Sequence, residues 1–173
     1  IVAGGGSIYS GAENVIKEFS EKHGIPVTET FAGKGTLHYS NPFNLGGIGA
    51  TGTKGANEIA KNSDLVIGIG TRYGDFTTAS KSVWQNKNVD FININVAEFD
   101  AFKNSAIPLQ GDARETLKII SQKLQNHSTD EGYIEKIKVL NKEWNDIVSK
   151  IYHTEDPKRP VQSELLGAVN EFM

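Results

Sequence analysis

The chain has 173 residues, with 18 Lys and Arg against 21 Asp and Glu, a formal net charge of −3, and 38% hydrophobic residues. That is enough apolar content for one buried core, and the charges are too balanced for a nucleic-acid or membrane-surface role. There is no Cys, which excludes a disulfide scaffold, a thiolate nucleophile and a Cys-ligated zinc site. No apolar run approaches the roughly 18–20 residues of a membrane helix, and the expectation is a soluble, cytoplasmic α/β domain.

Fifteen of the 18 glycines fall at or before Gly74, so the first half is rich in turns and the second half more regularly helical. Ile1-Val2-Ala3 reads as a strand running into the turn Gly4-Gly5-Gly6. Ser10-Gly11-Ala12-Glu13 has the Ser-x-x-Glu form of a capping box. It opens a helix with Val15, Ile16 and Phe19 on one face, ending at Gly24 before Pro26. Val27–Thr30 reads as a second strand. A long loop is expected from Ala32 to Gly52, and loops of this length are functional or sit at interfaces.

Thr53 to Asn62 predicts a short helix facing inward through Ala56, Ile59 and Ala60. Leu65-Val66-Ile67-Gly68-Ile69 is a continuous apolar run, as expected of a parallel strand buried on both faces. Phe91 to Val96 is another strand, and Ile107-Pro108-Leu109 an edge strand that tolerates its proline. Asp112-x-x-Glu115 caps a helix carrying Leu117, Ile120 and Leu124. A longer helix follows around Ile137, Leu140 and Trp144. His153 to Pro160 reads as a linker. Val161, Leu165, Val169 and Phe172 then recur at helical spacing without a stop signal, so a piece of a longer protein is expected: a domain over 1–153, then a linker and the first helix of a following domain over 154–173.

Strands alternating with helices predict βαβ units, hence a doubly wound, mostly parallel sheet of about six strands with helices on both faces. Ligands bind such sheets beyond the carboxyl ends of the strands, here Gly4–Gly6, Thr30–Gly35, Gly70–Asp75 and Asn95–Asp100. Gly4, Gly5 and Gly6 precede a helix and read either as a tight turn or as a pyrophosphate cradle; Tyr9 stands where a dinucleotide fingerprint would carry a third glycine. Arg72 and Asp75 follow the most apolar strand. They read either as contacts to a phosphate and a ribose or as an internal ion pair.

Four histidines, His23, His38, His127 and His153, are too widely spaced to ligate one metal by sequence neighbourhood. His38 is either a surface residue or a loop functional group. Asp112 and Asn141 lie at a spacing that could hold a diphosphate-bound magnesium, but Asp112 reads as an N-cap and Asn141 lies inside a helix. No metal site and no catalytic residue are assigned.

The order of loops resembles a known family. It runs through Gly4-Gly5-Gly6, Gly24-Ile25-Pro26-Val27, Gly33-Lys34-Gly35, Gly49-Ala50-Thr51-Gly52-Thr53 with Ala56-Asn57, Thr71-Arg72-Tyr73-Gly74-Asp75 and Gly111-Asp112-Ala113. It is similar to the Rossmann-like central domain of thiamin-diphosphate-dependent enzymes of the acetolactate synthase type. Ser40 to Gly46 and Asp75-Phe76-Thr77-Thr78 look most like its branch that hydrolyses a carbon–carbon bond of trihydroxycyclohexane-1,2-dione to 5-deoxy-glucuronate in myo-inositol catabolism.

The resemblance implies an inactive central piece of an enzyme whose thiamin diphosphate and Mg²⁺ are bound by other domains, in a homo-oligomer, dimer or tetramer. It also implies an FAD or ADP site across the strand ends, with Gly4, Gly5, Gly6, Arg72 and Asp75 as its candidates. Asn93 and Asn95 replace aspartates of the flavin-binding pattern, and Gly74 an acidic residue, so FAD is not expected. An acetolactate synthase central domain, or a stand-alone module binding FAD, ADP or NAD, are the alternatives.

Overall fold

The computed structural model describes residues 1–153, 159 and 161–172. Six strands form one sheet: β1 (Val2–Ala3), β2 (Val27–Glu29), β3 (Asn44–Gly47), β4 (Leu65–Ile69), β5 (Asp90–Asn95) and β6 (Ile107–Gln110). All pairings are parallel and the order is β3-β2-β1-β4-β5-β6. The chain winds outward in one direction from β1 to β3 and in the other from β4 to β6. The topological switch point therefore lies between β1 and β4, where Ala3 pairs with Ile69.

The connections carry helices α1 (Gly5–Tyr9), α2 (Glu13–His23), α3 (Lys54–Asn62), α4 (Asp75–Thr78), α5 (Glu98–Ala101), α6 (Ala113–Leu124) and α7 (Glu131–Tyr152); α8 (Gln162–Phe172) follows. Helices cover both faces. Val2, Leu45, Ile59, Val66, Ile137 and Leu140 make one core, under α3 and α7. Ala3, Ile16, Phe19, Ile69, Ile94 and Leu117 make the other, under α2 and α6. Consecutive strand residues point to opposite faces, so the two residues of β1 anchor one core each. The doubly wound architecture is as expected from the alternation of elements.

Local details differ from the sequence reading. The Ser10–Glu13 box does not form: Ser10 Oγ donates to the Ser7 carbonyl, and Ala12 occupies the N-cap of α2 without a side-chain bond. The α2 stop is as expected, with Gly24 left-handed at φ 66°. The span from Ala32 to Gly52 is not one loop, because it contains β3. Leu65 is exposed and Ile67 half-buried, so the amino end of β4 is not covered on both faces. Thr53 and Asp112 cap α3 and α6, accepting from the amides of Ala56 and Glu115. Of the expected linker, 154–158 and 160 lie outside the described residues, and α8 occupies the final helical pattern.

Candidate functional site

The carboxyl ends of the strands place the expected groups together, but most of their polar atoms face one another. Gly4 N–H donates to Ile69 O at 2.8 Å, and Gly6 N–H to Gly70 O at 3.1 Å. A Cβ on Gly4 would lie 2.3 Å from Gly70 O, and one on Gly6 2.7 Å from Gly70 Cα. Glycine is required there because the β1 and β4 loops touch backbone to backbone. The Gly5 amide alone of the three has no hydrogen-bond partner among the described residues. Tyr9 lies over it, with a ring carbon 3.6 Å from where a Gly5 Cβ would be.

Arg72 and Asp75 are exposed on the next loop. They form no ion pair with each other, and neither side chain has a hydrogen-bond partner among the described residues, so the internal-pair reading is not what the structure contains. The Arg72 carbonyl accepts from Lys103 Nζ at 2.9 Å, and the same ammonium meets Asp100 at 2.7 Å. Between these residues, buried Tyr73 donates its hydroxyl to Asn93 Oδ1 at 2.9 Å. Burial holds the Tyr73 phenol above its ordinary pKa, so it remains a donor.

Asn93 and Asn95 use both ends of their amides. Asn93 Nδ2 donates to Lys103 O. Asn95 Nδ2 donates to Thr71 O, and its Oδ1 accepts from Ala97 N–H. An aspartate could not donate to either carbonyl. The departure from the flavin-binding pattern is thus a pair of bridges closing the strand ends onto the loops beside them.

A residue the sequence reading passed over organises the other half of this edge. Glu29, at the end of β2, has no exposed side-chain surface. Its Oε1 accepts from the amides of Gly35 and Leu37, each at 3.1 Å, and Oε2 meets Lys34 Nζ at 3.4 Å. In dinucleotide-binding sheets an acidic residue about 20 positions after the glycine turn holds a ribose; here the acid at that spacing ties down its own loop. The available signal was a carboxylate inside a strand otherwise made of Val and Thr. Beside it, a cavity of about 410 Å³ opens between the ends of β2 and β3, lined by Glu29, Thr30, Phe31, Lys34, Gly47, Ile48 and Thr51.

The described residues do not fit thiamin diphosphate with its metal. Asp112 Oδ1 is engaged as the α6 N-cap. Asn141 Nδ2 donates to the carbonyls of Asn41, Pro42 and Asn44, and its Oδ1 accepts from Asn145. Asn141 is a clamp between α7 and β3. Among the described residues no three His, Cys, Asp or Glu side chains converge as a metal site would need. His38 is exposed and bonds Ser40 Oγ at 2.7 Å.

Residues 1–120 match the family described as "Thiamine pyrophosphate enzyme, central domain". Over 176 residues the chain is 41% identical to a 3D-(3,5/4)-trihydroxycyclohexane-1,2-dione hydrolase of Clostridium tetani, covering 99% of this chain and 27% of that protein. Proteins of the same description in Bacillus thuringiensis and Bacillus anthracis are 41% and 42% identical, covering 100% and 99% of this chain. They are matched over 28% and 27% of their own length. The chain therefore spans little more than a quarter of these relatives. Among the described residues no helix is long and apolar enough to cross a membrane.

Proposed function

We propose that this chain, which belongs to the family of thiamine pyrophosphate enzyme central domains, is the central domain of a hydrolase that opens the ring of trihydroxycyclohexane-1,2-dione at a carbon–carbon bond, giving 5-deoxy-glucuronate. The observation that carries the reading is 41% identity over essentially the whole chain to relatives of that description. Thiamin diphosphate, with Mg²⁺ on its diphosphate, supplies the nucleophilic carbon of this reaction class. It is held by parts of the enzyme outside this chain, and the enzyme works as a cytoplasmic homo-oligomer. Residues 154–173 act as linker and first helix of the following domain.

In this reading the chain is a scaffold. Gly4 and Gly6 serve as the joint between the β1 and β4 loops, and Glu29 fixes the β2 loop. Contact with any ligand over the switch point falls to Gly5, Arg72 and Asp75. The use of Glu29, Asn93 and Asn95 in internal bonds supports a domain that holds no FAD.

The test is turnover of the cyclic dione by the purified full-length protein, followed by NMR detection of the ring-opened acid. Activity that needs both thiamin diphosphate and Mg²⁺, in a colourless protein, is expected. Condensation of pyruvate to acetolactate by a yellow protein would overturn the assignment. Titration of the 173-residue chain with FAD, ADP and NAD completes it: micromolar binding of any of them overturns the scaffold reading.

A further inference from the structure

Helix α7 carries two stripes along the side that meets the edge strand β3. Residues three and four apart share a helix face. Asn141, Asn145, Ser149 and His153 recur every four residues and make a polar stripe; Trp144, Val148 and Tyr152 make an apolar one beside it. The opposite wall is β3, where Gly46 and Gly47 bring no side chain, and Tyr39 and Asn170 of α8 complete the lining. The cleft encloses about 620 Å³, within the range of small-molecule sites.

The lining is held in place before any ligand arrives. Asn141, clamped to three carbonyls, accepts from Asn145 Nδ2 at 2.9 Å. That bond orients the Asn145 amide and leaves its Oδ1 as an acceptor. A Cβ at Gly167 would lie 2.7 Å from Tyr152 Cβ, so α8 presses directly on the Tyr152 end of the cleft. The Trp144 indole N–H, the hydroxyls of Tyr39, Ser149 and Tyr152, and the Asn170 amide have no hydrogen-bond partner among the described residues. A preordered site of this kind loses little entropy on binding.

Charge narrows the occupant. No Asp or Glu lines the cleft, so a cation meets no counter-charge there. Its two basic side chains are already engaged: Lys34 lies 3.4 Å from Glu29, and His153 bonds the Ser149 carbonyl and Glu171. What remains is a set of neutral donors and acceptors among three aromatic rings, those of Tyr39, Trp144 and Tyr152. A ring with hydroxyls around its rim and C–H bonds on its faces matches both: its rim bonds the amides and hydroxyls, and its faces lie on the aromatics. We propose that the cleft between α7 and β3 binds a neutral polyhydroxylated ring, a cyclitol or a sugar. A single ring of this size gives a dissociation constant on the order of 1 mM.

The test is calorimetric titration of the full-length protein with myo-inositol, glucose and cyclohexanol. Binding of myo-inositol or glucose, with none of cyclohexanol, is expected, and the tighter of the two separates a cyclitol from a sugar. Trp144→Ala removes an aromatic face, and Ser149→Leu fills the cleft from an exposed position. Each should weaken binding about tenfold, as for a lost contact worth one decade of affinity. Affinity unchanged in Ser149→Leu overturns the proposal, because the polyol then sits elsewhere. Equal binding of cyclohexanol overturns it, since the cleft is then only apolar. No binding of either polyol also overturns it, another part of the enzyme then closing the cleft. The titration does not depend on turnover, so failure of the hydrolase reading and failure of this one are read separately.

Discussion

The Tyr73 hydroxyl and the Asn93 side-chain oxygen meet at 2.9 Å across β4 and β5, directly over Gly68. A Cβ at Gly68 would lie 2.0 Å from Tyr73 Oη and 2.9 Å from Asn93 Oδ1. Gly68→Ala therefore forces the pair apart and costs about 1–3 kcal/mol, the range for overpacking a core. In a Tyr73→Phe background the loss is smaller than the sum of the two single changes, because they disturb one contact. Urea midpoints of the four proteins check this.

The asparagine bridges give a second expectation. Asn93→Asp or Asn95→Asp sets a carboxylate against a buried carbonyl, Lys103 O or Thr71 O. Each destabilises by about 2–3 kcal/mol, and neither creates flavin binding. Thermal melts with and without FAD measure both halves of the statement.

Glu29→Ala leaves the amides of Gly35 and Leu37 without acceptors in a buried site and costs about 2–4 kcal/mol. Glu29→Gln keeps an oxygen facing both amides and loses mainly the contact to Lys34, whose side chain is largely exposed, at about 1 kcal/mol. Chemical denaturation separates the two. Equal losses would mean that charge, rather than the loop amides, governs the site.

The pH dependence at the α7–α8 link has a definite sign. The Nδ1 of His153 donates to Ser149 O, and its Nε2 lies 3.1 Å from Glu171 of α8. The backbone bond first, then Glu171, raises its pKa from 6.5. The α7–α8 link is strongest below pH 6.5 and weakens as the pH passes the raised value. Glu171→Gln should lower the His153 midpoint in an NMR titration; an unmoved midpoint would show that the pair does not form in solution.

The sheet was legible in the sequence wherever side chains alone decide. Leu65–Ile69 is an apolar run, Phe91–Ile94 is aromatic or β-branched at all but Asn93, and Thr53 and Asp112 carry the short side-chain oxygen of an N-cap. What stayed hidden depends on tertiary partners. Asn44-Leu45-Gly46-Gly47 has no strand propensity; it becomes β3 because Asn141 gathers its carbonyls and Thr53 Oγ1 donates to Leu45 O. Gly5-Gly6 is a poor helix start, yet α1 forms because the Gly6 amide meets Gly70 O. Ser10 resembled a cap until its hydroxyl turned to Ser7 O. Loop order pointed to the edge that holds Gly5, Arg72 and Asp75. The closing of that edge by Glu29, Asn93 and Asn95 depends on tertiary proximity, since each acts on backbone atoms that no motif records.

The central strand is also the shortest. β1 is two residues long, and its partners are Thr28 and Glu29 on one side and Gly68 and Ile69 on the other. Two residues cannot hold a strand by themselves, and pairing 66 positions apart carries a large loop-closure entropy. On a ribosome, Val2 and Ala3 leave the exit tunnel long before β4 exists to receive them. Folding of this domain then waits for the β4 segment, and Val2 and Ala3 keep one side of β1 open until Gly68 and Ile69 have emerged behind them.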